Sequence, residues 1–368
     1  MHKPLNVLGL ETSCDETAAA LVHLDAEGKA HYLADQIYSQ IDEHSIYGGV
    51  VPEIAARAHV GALDALIERA LTQADMSFAA LDGVAATTGP GLVGGVMVGM
   101  MAAKAIAMAH DIPFIPINHL EGHALSPMLA QHGGGEPLTF PYLLLLVSGG
   151  HTQLLSVEGL GQYTRLGSTI DDAVGEAFDK SAKIMGLGFP GGPALERAAK
   201  KGDAARFSLP RPLTGKPGCD FSFAGLKSAV RRTWEALPVH DDQARYDLAA
   251  AFQLAATDVL ASRTVNAMDI FAKTHGPRPL VVAGGVAANT ALRLRLMVEA
   301  ENKGFEFIAP PLALCTDNGG MIAHAGALHL RAGHKGNLSI SARPRWPLDE
   351  QAAKTLPASG SGKKGPKS

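Results

Sequence analysis

The chain has 368 residues, 46% of them apolar and 18% charged, with a net charge of −4. That length predicts two domains, and the composition excludes a disordered chain and a dedicated nucleic-acid-coating protein, while leaving room for a local basic patch. Cys14, Cys219 and Cys315 form no Cys-x-x-Cys pair, no cleavage pattern precedes the first strand, and the longest apolar stretch, Gly91 to Ala103, falls short of the roughly 20 residues of a membrane span. The expectation is a cytoplasmic protein with reduced thiols and no membrane partner.

Leu5 to Leu10 predicts a buried strand, Glu11 to Thr17 a polar tip, and Ala18 to Leu24 a returning strand. Pro52 opens a helix whose apolar face runs through Ile54, Ala58, Leu63, Leu66, Ile67 and Leu71, a face that serves either the lobe itself or a partner protein. A strand at Leu81 to Thr88 leads through Gly89-Pro90-Gly91 and Gly94-Gly95 into a small-residue helix ending near His110. No Lys-Ser/Thr follows these glycines, which favours close helix packing over phosphate binding.

Ile112 to Ile117 leads into Asn118-His119-Leu120-Glu121-Gly122-His123. Two imidazoles four residues apart lie on one helix face, where they can grip one metal ion, or merely serve a helix start capped by Asn118. Zinc peptidases with this spacing carry glutamate directly beside a histidine. Glu121 sits midway and, at about 100° per residue, points away from the pair, so a peptidase would lack its base. The glycine-rich run His132 to Pro137 reads as an insertion near a lobe boundary.

Tyr142 to Val147, Ser148 to Thr152 and Gln153 to Val157 repeat the opening pattern of strand, tip and strand, and the amides of Ser148-Gly149-Gly150 suit an anion nest. A helix beginning at Thr169-Ile170-Asp171-Asp172 carries Glu176, Asp179 and Lys180. The segment Lys200 to Arg232 gathers basic residues around Phe221 and Phe223, either an RNA surface with rings for stacking or a solvated face. A long helix spans about Asp241 to Thr274. Pro279 to Ala283 is a strand, Gly284-Gly285 to Asn289 a helix N-terminus suited to a nucleotide, Phe305 to Ile308 a last strand, and Met321 to about Leu330 a closing helix.

This order of elements predicts an α/β, two-lobed actin/sugar-kinase/Hsp70-like fold with duplicated mixed β-sheet lobes and a nucleotide cleft. The expected lobes are residues 1–130, completed by a C-terminal helix at about 318–347, and residues 131–317, with 348–368 a disordered tail. Asp317 can join His119 and His123 if the closing helix returns to the first lobe. Two imidazoles and one carboxylate suit Fe(II) or Zn(II) with positions left for substrate.

The runs Leu10-Glu11-Thr12-Ser13-Cys14-Asp15-Glu16-Thr17, Tyr47 to Glu53, Gly89-Pro90-Gly91-Leu92, His119 to His123, Leu146 to Thr152, Gly175 to Lys180, Phe221 to Lys227 and Ala283 to Asn289 resemble the TsaD family, the tRNA N6-adenosine threonylcarbamoyltransferases. The resemblance extends from the first strand to about Arg345. It implies transfer of the threonylcarbamoyl group from threonylcarbamoyl-adenylate to N6 of adenosine 37 in tRNAs reading codons that begin with A, giving t6A. It further implies that His119, His123 and Asp317 hold one divalent metal, Fe(II) first and Zn(II) second. Leu146, Val147, Ser148, Gly149 and Gly150 would contact the phosphate and acyl part of the substrate, with Asp179, Gly192 and Glu196 at the ribose and Asn289 by the adenine. Asp15 or Glu16 could take the amine proton. The implied partners are the tRNA anticodon loop, a TsaB-like protein and a TsaE-like ATPase. Two other functions fit the fold: an ATP-dependent kinase, for which a histidine pair is an unusual Mg site, and a non-catalytic nucleotide-binding regulatory subunit, which would not need an intact ligand set.

Overall fold

The computed structural model describes residues 2–129 and 138–355. The glycine-rich insertion expected at His132 to Pro137 and the tail beyond residue 355 lie outside the described residues. The chain divides into one compact unit formed by Met1–Leu138 and Pro310–Leu348, and a second that begins with Thr139–Ala309 and takes in the segment from Asp349.

In the first unit, β1 (Leu5–Glu11), β2 (Glu16–Leu24) and β3 (Ala30–Ser39) form an antiparallel meander. A short helix α1 (Ile41–Ser45) and the long α2 (Pro52–Gln73) lead to β4 (Gly83–Gly89), then α3 (Val93–His110), β5 (Phe114–Asn118) and α4 (His119–Leu129). The sheet order is β3-β2-β1-β4-β5, with β1, β4 and β5 parallel. Leu63, Leu66, Ile67 and Leu71 of α2 are buried against this sheet, so the apolar face of α2 is core.

Helix α3 is long and apolar enough to cross a membrane, because it runs past Lys104 to His110 where the sequence suggested a shorter stretch. It is nevertheless built to lie on protein. The Thr12 hydroxyl donates to the Gly95 carbonyl at 2.8 Å and accepts from the Gly99 N–H at 3.0 Å. A Cβ at Gly95 would come within 2.3 Å of the Thr12 carbonyl oxygen. The glycines after β4 therefore serve close packing.

The second unit repeats the plan. β6 (Tyr142–Val147), β7 (Thr152–Gly159) and β8 (Gln162–Ser168) form a second meander, followed by α5 (Val174–Ile184), α6 (Gly191–Ala199), α7 (Ala224–Glu235), the long α8 (Asp242–His275), β9 (Leu280–Ala283), α9 (Thr290–Asn302) and β10 (Phe307–Ile308). Its sheet order, β10-β9-β6-β7-β8, is the first order repeated with the same pattern of parallel and antiparallel pairs. The duplicated mixed-sheet fold is thus present.

Several local expectations need correction. Asp171 and Asp172 precede α5 rather than starting it, because Asp171 is turned toward α7 and accepts the Phe223 and Ala224 N–H groups. Gly285–Ala288 is a 3-10 turn, and Asn289 is the residue that caps α9. Phe221 and Phe223 are fully buried and stack on each other at 6.2 Å, so they are core rather than stacking platforms for bases. The tail opens with a helix, α11 (Glu350–Thr355), whose first turn is capped by Asp349 accepting from the Ala352 N–H at 2.8 Å.

After β10 the chain returns to the first unit as α10 (Gly319–Arg331), which packs across β1, β2 and β4. Glycines permit this contact. A Cβ at Gly9 would lie 2.3 Å from the Ala323 nitrogen, one at Gly319 would lie 2.7 Å from the Ala20 nitrogen, and one at Gly326 would lie 2.4 Å from the Ala85 Cβ. Behind this seam His324 is fully buried, and that burial pushes its imidazole down to about 4.

Gly9→Ala is expected to destabilise the chain by about 2 kcal/mol or more, read as a lower urea midpoint, because backbone rather than a flexible side chain must give way. His324 has a depressed folded pKa, so protons bind the unfolded chain first and stability falls as pH drops from 6.5 toward 4. Relative to a His324→Leu variant, the parent chain should lose about 3 kcal/mol of unfolding free energy across that window; parallel pH profiles would contradict this.

Candidate metal centre and phosphate loop

Strand β5 runs directly into α4, so His119 is the first helical residue and Asn118 accepts the Leu120 N–H at 2.9 Å as a cap. One turn later His123 faces the same side, its ring 4.8 Å from that of His119 and nearly perpendicular to it. Asp317 arrives from the other end of the chain. Asn318 holds it there: its side chain accepts the Met321 N–H of α10, donates to the Thr316 carbonyl and accepts from the Tyr32 hydroxyl.

The Asp317 Oδ1 lies 3.0 Å from His123 Nε2 and 3.5 Å from His119 Nε2. Donors about 2.1 Å from a common ion sit about 3 to 3.5 Å apart, so two imidazoles and one carboxylate at these separations fit a transition metal with open positions. Among the described residues this is the one group of three or more such donors whose ligand atoms lie within 4.8 Å of one another. Glu121 points away and pairs with His329 Nε2 at 2.9 Å.

The surroundings are strongly negative. Burial alone would lower the His119 imidazole, yet Asp317 and Glu11 outweigh it and raise the group to about 9. Burial, with Asp317 and Asp15 nearby, pushes Glu16 up to about 10, so at neutral pH it keeps its proton. Glu11, read from sequence only as part of a polar tip, is fully buried and bonded to His119. Its partners are distant in sequence, and nothing local marks it.

In the second unit the tip after β6 closes on itself: the Ser148 N–H donates to the His151 carbonyl, and the His151 N–H to the Ser148 hydroxyl. Leu146 and Val147 are fully buried strand residues that can offer a ligand only backbone, whereas Gly149 is exposed and Ser148 and Gly150 partly so. Gly175, near the start of α5, lies directly under this loop; a Cβ there would be 2.5 Å from the Ser148 carbonyl oxygen and 2.7 Å from the Gly149 Cα. Gly284 approaches from the other side, where a Cβ would meet the Val147 carbonyl oxygen at 2.4 Å. Asp179 accepts the Gly191 N–H at 2.9 Å, which fixes α6 and Gly192 beside it. Glu196 accepts the Thr290 N–H at 3.1 Å. The Asn289 amide accepts from the Leu292 N–H and donates to Gln253 at 3.0 Å, and Gln253 is a residue the sequence did not suggest. Gly175 and Gly284 were readable as motif glycines, but their task needed the loop above them.

A repeated mixed-sheet frame carrying a histidine and carboxylate cluster in one unit and a glycine-lined polar loop in the other defines a metal-compatible protein of the duplicated α/β class. A profile of the TsaD family, tRNA N6-adenosine threonylcarbamoyltransferase, matches residues 31–324. A protein of that name from Maricaulis maris is 58% identical over 99% of this chain and 97% of its own length, and one from Rhodospirillum rubrum is 56% identical over 98% and 99%. The solved structure of full-length HypF in its phosphate- and nucleotide-bound form aligns with a TM-score of 0.55 and 14% identity, covering 91% of this chain and 56% of HypF, and shares the fold. The chain belongs to the TsaD family.

Gly175→Ala should displace the Ser148 loop and lower the thermal midpoint by a few degrees, because backbone rather than a flexible side chain must give way; an unchanged midpoint would contradict the tight packing of Gly175 under the loop.

Proposed function

We propose that the protein transfers the threonylcarbamoyl group of threonylcarbamoyl-adenylate to N6 of adenosine 37 in tRNAs that read codons beginning with A, the acyl–phosphate bond breaking as the N6–carbon bond forms, to give t6A and AMP. The observation that carries this is the convergence of His119 Nε2, His123 Nε2 and Asp317 Oδ1 in a chain of the TsaD family. Family membership favours acyl transfer over a kinase, and the complete donor set argues against a purely regulatory subunit.

An exocyclic adenine amine is a weak nucleophile because its lone pair is delocalised into the ring, so activation must come from the electrophile's side. His119, His123 and Asp317 would hold a divalent ion, Fe(II) first and Zn(II) second, which when bound would supply positive charge near the acyl or phosphate oxygens. The residues of the chain do the rest. In the Ser148-Gly149-Gly150 loop, closed by the Ser148 N–H on the His151 carbonyl, the Gly149 and Gly150 amides are the donors assigned to the phosphate, with Leu146 and Val147 fixing the loop from the core. Asp179 and Glu196 offer carboxylates for the ribose hydroxyls, and Gly192 leaves open space beside them. Asn289 shapes the turn at the adenine through its cap and its bond to Gln253. Of the two tip carboxyls Asp15 is assigned the amine proton, because Glu16 already holds one.

The target adenosine must leave its stack, which a single-stranded anticodon loop permits at modest cost. Within the basic segment Arg206, Arg211 and Lys227 are paired with Asp247, Asp258 and Asp172, and Lys200 lies near Glu196. The exposed Lys216, Arg231 and Arg232 are therefore the tRNA contacts proposed. A TsaB-like partner is assigned to the exposed apolar stripe of Val93, Met97, Met101 and Met108 on α3 with Val60 of α2, rather than to the α2 face that the core consumes. A TsaE-like ATPase completes the assembly, in the cytoplasm.

Reconstitution with threonylcarbamoyl-adenylate, unmodified tRNA and both partner proteins tests this. The parent chain is expected to yield t6A, and His119→Ala, His123→Ala and Asp317→Ala to lower the rate about 100-fold or more. Wild-type rates in all three variants would remove the metal role, and no t6A from the parent would remove the activity.

A further inference from the structure

Glu11 ends β1 as a fully buried carboxylate, which is costly unless its charge is matched. Three donors converge on it. The Ser13 N–H reaches Oε1 at 2.5 Å, and the Thr87 hydroxyl of β4 reaches Oε2 at 2.5 Å. His119 Nδ1 lies 2.9 Å from the same Oε2. An ionised carboxylate can only accept, so Nδ1 keeps its proton, and Nε2 is the nitrogen whose lone pair becomes available when an ion displaces the second proton. Nε2 is the atom that faces Asp317.

The second imidazole has no such support. His123 Nδ1 is buried with no hydrogen-bond partner. The two histidines are thus unequal, and the carboxylate behind His119 is what distinguishes them. Charge points the same way: Glu11 and Asp317 together carry the two negative charges that neutralise a dication in a buried site.

We infer that Glu11 is a positioning residue of the metal centre, fixing the His119 tautomer, aiming Nε2 at the ion and supplying the second compensating charge, while Thr87 and Ser13 hold Glu11 in register. This rests on the metal role of His119, His123 and Asp317 proposed above. A carboxylate behind a ligand histidine raises its basicity and fixes its ring, and loss of such a partner typically costs 10- to 100-fold in metal affinity.

The test is competition of the full-length chain against a chromophoric chelator for Co(II) and Zn(II), with the Co(II) ligand-field spectrum recorded at saturation. Glu11→Gln keeps the side chain's size and one acceptor oxygen but removes the charge. It should bind both ions about 10- to 100-fold more weakly and shift the Co(II) bands, which a merely structural core pair would not do. Affinity and spectrum equal to the parent's, in a variant whose circular dichroism shows a native fold, overturn the inference. Should Glu11→Gln not fold, Thr87→Val decides: weakened affinity with shifted bands supports it, and parental values overturn it. A parent chain that binds neither ion at a site abolished by His119→Ala removes the metal reading itself and this inference with it.

Discussion

The first unit depends on how closely α10 lies against its sheet. Gly9 of β1 and Gly319 and Gly326 of α10 let backbone meet backbone where any side chain would hold the layers apart. The seam is short, but it sets the position of Asn318 and hence of Asp317, whose partner His123 is 194 residues away in sequence. Burial of Met321, Ile322, Ala323 and Ala325 along the same helix supplies the apolar driving force, and the glycines determine how near the helix can come. Three donor side chains brought together from opposite ends of a chain keep their spacing only through such a rigid connection.

Electrostatics around that connection are arranged against the ordinary preference of a protein interior. Glu11, Asp15, Glu16 and Asp317 crowd one place, and the response of their neighbours shows the field: His119 is driven up to about 9 despite burial, and Glu16 up to about 10. Protons gather wherever the site can hold positive charge. Stability alone does not call for such a cluster, since apolar residues of similar volume would cost less. The arrangement is intelligible as a receptor for a cation, with the carboxylates sharing the charge of a bound ion among them.

Much of this was legible before the structure. The histidine pair, the two strand-tip-strand units, the long α8 and the closing helix all carry local periodicity or motif residues. The edge strands β3 and β8 do not: Ala30–Ser39 and Gln162–Ser168 lack a continuous apolar run because one side of each is partly solvated, so pairing with a neighbour, rather than composition, makes them strands. Phe221 and Phe223 looked available because basic residues flank them, yet a bridge between Thr169 and Phe221 draws that segment into the core. Glu11 was invisible for a different reason. Its significance lies in Thr87 and His119, residues 76 and 108 positions away, and no spacing rule connects them.

The duplication sets two different tips on one frame. In both units a strand runs into a tip, turns and returns, and a helix start comes down beside the tip: Leu92 donates to the Ser13 carbonyl in the first, and Gly175 lies under Ser148 in the second. The first tip is filled with carboxyls, and the helix beside it is pinned by Thr12. The second tip is Ser148-Gly149-Gly150, with glycine below it and glycine at its side, so that backbone packs on backbone and no charged side chain stands there. A tip of carboxylates attracts cations and repels anions, while a tip without charged side chains does neither, so the same strand-tip-strand frame carries two different electrostatic surroundings.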